Sequence, residues 1–296
     1  MKMGKSLFLA VTVLLVAVIV AISAITLAQG PRTSLVEFIS HAGGTAQVND
    51  LYDGNTTIPY FEGVPANSYQ PDNFVEDNGV VRYMGGDSFV GINVGSKAGD
   101  IDWQQVKASD VDFAMIRVAY RETVKGRLIP DANFDKNMQG AIDAGLPVGV
   151  YFYSKAVTDA EAEAEAKYVL ESIRGKYSVK YPIAFYWEYD LKDDGTQDES
   201  SRTIRCNGDQ VTGFIDTFCG IIKTAGFTPC YYADKSMVYN RLDLTRLSGY
   251  DMWYAEFRSP PSLYYDFKMW QYTKQGDVPG ISVQVPVSIS MKNYAN

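Results

Sequence analysis

The chain has 296 residues, 46% of them hydrophobic, with a formal net charge of −8 and a pI near 4.8. That length holds one large domain plus an appendage, with apolar residues enough for a sizeable core. The acidic balance argues against a nucleic-acid partner, which needs basic patches. A single histidine, His41, argues against a histidine-based triad or a His-rich metal site.

The first thirty residues read as a targeting segment. Lys2 and Lys5 precede an uncharged run from Ser6 to Gly30 rich in Leu, Val, Ile and Ala. About 20 residues span a bilayer, whereas a signal-peptide core runs to about 7–15, so the length favours a retained anchor. Thr26-Leu27-Ala28 also suits signal cleavage, and both readings stand. The basic flank keeps the N-terminus cytoplasmic and places the remainder on the extracellular face or in the medium. The expected partner of this segment is the membrane.

Residues 31–88 carry scattered Gly, Pro, Asn and Asp with short apolar runs, and Val64-Pro-Ala-Asn-Ser-Tyr-Gln-Pro71 reads as turn or extended chain. The expectation is an extracellular spacer with a hairpin or two, followed by a main domain over 89–296.

From Gly91 strands and helices alternate. Strands are expected at Gly91–Gly95, Phe113–Tyr120, Pro147–Ser154, Pro182–Tyr189, Pro229–Ala233, Met252–Phe257 and Phe267–Thr273. Phe134 to Ala144 has helical apolar spacing and stops at Gly145; Thr158-Asp-Ala-Glu161 reads as a capping box opening a helix to about Arg174. Gln210 to Ala225 places Val211, Phe214, Ile215, Phe218 and Ile222 on one face. Such alternation implies a parallel sheet with right-handed crossovers, and seven or eight units imply an α/β fold closed into a TIM-like (β/α) barrel, regular or not. A doubly wound open sheet is the alternative, but no Gly-rich phosphate loop follows the first strand. Cys206, Cys219 and Cys230 allow one disulfide at most, in any of three pairings, or three buried thiols.

Chemistry in a parallel barrel gathers at the C-terminal strand ends. Those ends carry Asn93, Tyr120 with Arg121, Tyr151 and Tyr153, Glu188, Tyr232, Glu256 and Gln271. The most telling stretch is Tyr181-Pro-Ile-Ala-Phe-Tyr-Trp-Glu-Tyr189, an apolar strand that delivers one carboxylate, Glu188. Aromatic rings suit pyranose faces, and amides suit sugar hydroxyls and N-acetyl groups. Tyr120, Tyr151, Tyr153, Trp253, Glu256 and Gln271 are the expected substrate-binding set.

Gly91-Ile-Asn-Val94, Gly99-Asp-Ile-Asp-Trp103, Met115-Ile-Arg-Val-Ala-Tyr120, Ala144-Gly-Leu-Pro-Val-Gly-Val-Tyr-Phe-Tyr-Ser154, Tyr181–Glu188 and Met269-Trp-Gln-Tyr-Thr273 through Val278-Pro-Gly-Ile281 resemble the family-25 glycoside hydrolases, lysozymes of the N-acetylmuramidase type. The resemblance runs from about Gly91 to Tyr294. It implies a barrel shaped for the N-acetylmuramic acid/N-acetylglucosamine strand of peptidoglycan, extracellular work, and no metal or organic cofactor. It also implies Glu188 as the general acid. The family pattern places aspartates where this chain has Asn93, Tyr186 and Pro286, and polar residues where it has Gly95, Lys97 and Ala98. Glycoside hydrolysis ordinarily uses two carboxyl groups, and each lost electrostatic contact costs about 100- to 1,000-fold, non-additively.

The expectation is therefore an exported, membrane-anchored or secreted glycan-binding pseudoenzyme. A working muramidase hydrolysing the MurNAc–GlcNAc linkage, with an acid rescued from Glu256, Asp190 or Asp87, is the alternative. An interaction scaffold that binds no sugar is the third reading.

Overall fold

The computed structural model describes residues 32–192 and 194–295. The expected anchor over 1–30 lies outside them; among the described residues no helix is long and apolar enough to cross a membrane.

Residues 32–88 form three strands, β1 (Val36–Ala42), β2 (Thr45–Asp50) and β3 (Gly54–Pro59), in one antiparallel sheet, then a hairpin of β4 (Phe74–Asp77) and β5 (Val80–Tyr83). The hairpins expected here exist, but they do not stand off as a spacer. Ala46, Val48, Ile58 and Val81 are buried in the same core as the barrel's outer face. Lys235 binds Asp50 at 2.7 Å and Ser262 Oγ at 2.9 Å, and the Tyr69 hydroxyl donates to the Phe267 carbonyl at 2.7 Å. The apolar runs are short because each strand buries one face only.

The remainder runs β6 (Phe89–Val94), α1 (Trp103–Ala108), β7 (Phe113–Arg121), β8 (Leu128–Pro130), α2 (Phe134–Asp143), β9 (Val148–Ser154), α3 (Asp159–Ile173), β10 (Ile183–Trp187), α4 (Gly208–Thr224), β11 (Pro229–Asp234), α5 (Lys235–Asn240), α6 (Leu244–Leu247), β12 (Asp251–Ala255), β13 (Met269–Gly276) and β14 (Val285–Ser290). Eight strands close into a ring in the order β6, β7, β9, β10, β11, β12, β13, β14 and back to β6. The α/β barrel is thus present and irregular. Seven ring strands are parallel, whereas β14 runs antiparallel to both neighbours. Only residues 277–284 separate β13 from β14, too few for a parallel crossover, which needs a dozen or more.

Caps set the helix starts. Asn207 accepts from the Gln210 amide at 2.9 Å while the Gln210 side chain accepts from the Asn207 amide, a full capping box on α4. On α3 the expected box is only half formed: Thr158 accepts from the Glu161 amide, but Glu161 reaches back to the Val157 amide.

Inside the ring the side chains stack in layers. At the N-terminal end the Phe113 and Tyr181 rings lie parallel at 4.0 Å, and a Cβ at Gly91 would fall 2.1 Å from the Phe113 ring. Met115, Tyr151, Trp253 and Met269 follow. Cys206, Cys219 and Cys230 are buried free thiols. Burial raises the pKa of each.

Candidate active site

The mouth at the C-terminal strand ends is floored by aromatics. The Tyr186 ring stacks on Tyr232 at 3.6 Å and 15°, and both meet Trp253 near edge-on. Burial pushes the Tyr186 and Tyr232 phenols well above their ordinary range, and the charge of Glu188 adds to it. Both remain protonated at neutral pH, so Tyr186 is a poor candidate for a phenolate nucleophile.

Glu188 sits half-buried one residue beyond β10. Its Oε1 accepts from the Tyr153 hydroxyl at 2.8 Å. Behind it lies Lys155, wholly buried, whose ammonium donates to the Glu188 carbonyl at 2.8 Å, pairs with Asp190 at 2.8 Å and lies 4.8 Å from the Tyr153 ring centroid. Burying an ammonium is costly unless it is paired and hydrogen-bonded, and this one has both. Lys155 therefore fixes the backbone that carries Glu188, and the Asp190 charge is spent on Lys155 and a hydrogen bond from Ser201.

Asn93 donates through Nδ2 to Gln271 Oε1 at 3.0 Å, and Gln271 Nε2 reaches the Tyr232 hydroxyl at 3.5 Å. The Asn93 Oδ1 is buried without a hydrogen-bond partner among the described residues. Pro286 precedes the Val287–Ile92 pair and shares the inner side of β14 with Ser288, which places it beside Asn93. The positions Asn93, Tyr186 and Pro286 thus converge on one rim with Glu188.

The expected substrate-binding residues divide. Tyr120 and Tyr153 reach the rim. Tyr151, its phenol pushed up to about 12 by burial, lies a layer deeper. Trp253 and Gln271 are 0% exposed, and the Trp253 indole donates to Ser288 Oγ at 3.1 Å. Glu256 is saturated: it accepts from the Tyr254 hydroxyl at 2.8 Å, the Ser262 amide at 2.6 Å and Arg258, and so pins the loop between β12 and β13. That engagement counts against Glu256 as the substitute acid of the alternative reading. Arg121 points away from the mouth to the buried Glu165 of α3. The strand register shifts between Arg117 and Ala119, which is why the residues at the end of β7 fall differently from a strict alternation.

Two members of the site escaped the sequence reading. Arg117 projects inward and pairs with the buried Asp131 at 2.7 Å, while its guanidinium carbon lies 5.2 Å from the Tyr120 ring centroid. A guanidinium inside the apolar run Met115-Ile-Arg-Val-Ala119 was the available signal. Lys155, one residue past an apolar strand, was the other. Among the described residues no group of three His, Cys, Asp or Glu side chains is placed to hold a metal ion.

The family model for glycosyl hydrolases family 25 matches residues 92–281, most of the barrel. The chain belongs to glycosyl hydrolases family 25. An autolytic lysozyme from Clostridium acetobutylicum is 26% identical over 193 residues, covering 65% of this chain and 52% of that relative. This chain thus spans about half the length of the curated relative it matches. Among solved structures, the modular autolysin LytC of Streptococcus pneumoniae shares the fold with a TM-score of 0.59 at 21% identity, over 86% of this chain and 57% of LytC; LytC has also been solved with a synthetic peptidoglycan ligand. A family-25 glycosyl hydrolase from Bacillus anthracis matches with a TM-score of 0.55 at 21% identity, over 69% and 89% of the two chains. The family-25 membership accounts for the ring of strands.

Proposed function

We propose that this protein is an exported family-25 barrel that binds the glycan strand of peptidoglycan and hydrolyses it poorly or not at all. The observation that carries the reading is the make-up of the rim: Glu188 is held by Tyr153 and forms no ion pair among the described residues, its register neighbour Asp234 caps α5 by accepting from the Met237 amide at 2.8 Å, and Asn93, Tyr186 and Pro286 stand where aspartates were expected. A general acid at Glu188 can protonate a leaving oxygen. Among the described residues no second carboxylate without other partners stands beside it to activate water or to stabilise positive charge at the anomeric carbon. Glu256 and Asp190 are engaged elsewhere. What remains is an aromatic and amide surface suited to holding a sugar. The N-terminal segment supplies the export signal or anchor in this reading.

The test is release of reducing ends from purified peptidoglycan by the full chain beside Glu188→Gln, with sedimentation of the protein on the same material. The expected result is saturable binding with no release above background from either form. Release by the parent that disappears in Glu188→Gln would overturn the impairment and establish a muramidase working through Glu188.

A further inference from the structure

Beside the rim, between the β6–α1 and β7–β8 connections, lies a groove of about 610 Å³ whose lining carries five cationic side chains and one carboxylate. Three of the cations are spoken for: Arg117 by Asp131, Arg121 by Glu165 and Arg127 by Glu122. The other two, Lys97 and Lys125, are exposed and form no ion pair among the described residues. The groove therefore carries uncompensated positive charge on a chain whose overall charge is −8. A local field opposed to that of the whole molecule attracts anions that the rest of the surface repels.

The groove is continuous with the rim. Tyr153 lines it and also donates its hydroxyl to Glu188, so a ligand in the groove lies next to that carboxylate. Tyr120, set against the Arg117 guanidinium, lines it as well and offers an aromatic face. The loop that carries Lys97 is built to pass close over Arg117. Gly95 has no side chain there, and a Cβ at that position would lie 2.7 Å from Asp131 Oδ2 and 3.0 Å from Arg117 Nε, while the Ser96 amide donates to Asp131 at 2.9 Å.

We infer that this groove is an anion-selecting subsite, which takes the acidic substituent of a saccharide between Lys97 and Lys125 while Tyr120 and Tyr153 hold the sugar. The inference rests on the glycan-binding reading and adds to it the chemical class of the ligand: a carboxylate- or phosphate-bearing saccharide, in preference to a neutral one. Ammonium groups bind either anion by charge-assisted hydrogen bonds.

The test uses the full chain and matched ligand pairs, read by calorimetry or NMR titration. One pair is muramyl disaccharide and the methyl ester of its lactyl carboxylate. The other is N-acetylglucosamine 6-phosphate and N-acetylglucosamine. The acid of at least one pair is expected to bind about tenfold more tightly than its neutral partner, with the preference weakening in high salt. In the double variant Lys97→Glu/Lys125→Glu that preference should vanish while the neutral ligand binds as before. Which pair shows the preference assigns the carboxylate or the phosphate. Equal binding of acid and neutral forms, or a preference that survives the double variant, overturns the subsite and leaves glycan binding intact. No binding of any of the four at millimolar concentration overturns glycan binding and this inference together.

Discussion

Asn93 and Tyr186 replace expected aspartates in physically different ways. Asn93 has the shape of aspartate, and its Oδ1 already lies in the site without a partner. A carboxylate there needs only a turn of the Gln271 amide, which would then donate to it and accept from Tyr232. Tyr186 is a packed side chain, 8% exposed, with its ring flat on Tyr232. Replacing it by aspartate removes a ring and leaves a hole next to Glu188. Deleting a large buried aromatic costs about 3–5 kcal/mol. We expect Asn93→Asp to leave the melting temperature within a few degrees of the parent, and Tyr186→Asp to lower it far more; equal shifts would contradict the packing argument. Reversing the substitutions one at a time is therefore not a neutral probe of activity. The expectation of aspartates at these positions comes from motif order in the sequence. The sequence could not show that Tyr186 is braced by Tyr232, since that contact joins register partners on the neighbouring strands β10 and β11, which are far apart in sequence.

At the scale of elements, seven of the eight ring strands were visible as apolar runs, and the helices of the α3 and α4 positions were visible from spacing and caps. The strand β14 was not. Its Val-Pro-Val-Ser-Ile-Ser alternates, has a proline near its start and follows no helix, so nothing local marks it as the closing strand of a parallel barrel. The pairing of α3 with β7 was equally hidden: Arg121 and Glu165 meet although they are 44 residues apart. Burial pushes the Glu165 carboxyl up to about 7, against the pull of Arg121. Between the ordinary carboxyl value and about 7 the folded chain then holds a proton that the unfolded chain has released. Stability contributed by this group is present at low pH and declines as the pH rises through that window. Chemical denaturation from pH 5 to pH 8 should show the parent losing stability relative to Glu165→Gln as pH rises. A difference between the two that does not change with pH would mean that Glu165 is ionised throughout.

For the whole molecule, the barrel is incomplete without the strands that precede it. Residues 32–88 looked like a spacer because their apolar residues are few and scattered, yet those few are placed where the barrel's connecting loops are aromatic. The Tyr265 hydroxyl donates to the Pro59 carbonyl at 2.7 Å and accepts from the Phe61 amide at 3.0 Å. The Tyr52 hydroxyl donates to the Pro260 carbonyl at 2.6 Å, and the Arg258 guanidinium carbon lies 4.3 Å from the Tyr52 ring centroid. Tyr69 packs on Phe267 at 5.0 Å, and Phe74 meets Trp270 edge-on at 5.3 Å. Leu263, Tyr265 and Phe267 are at most 1% exposed in this arrangement. Fully burying a side chain of that size is worth about 1.5–3 kcal/mol, and a domain's whole stability is only about 5–15 kcal/mol. Removing residues 1–88 should therefore leave a barrel that melts well below the full chain or aggregates through the uncovered aromatics, whereas the full chain should unfold in one transition as followed by both far-UV and near-UV dichroism. Two separate transitions in the full chain, with an unchanged upper one in the 89–296 piece, would show instead that the barrel stands alone and the leading strands are an attachment.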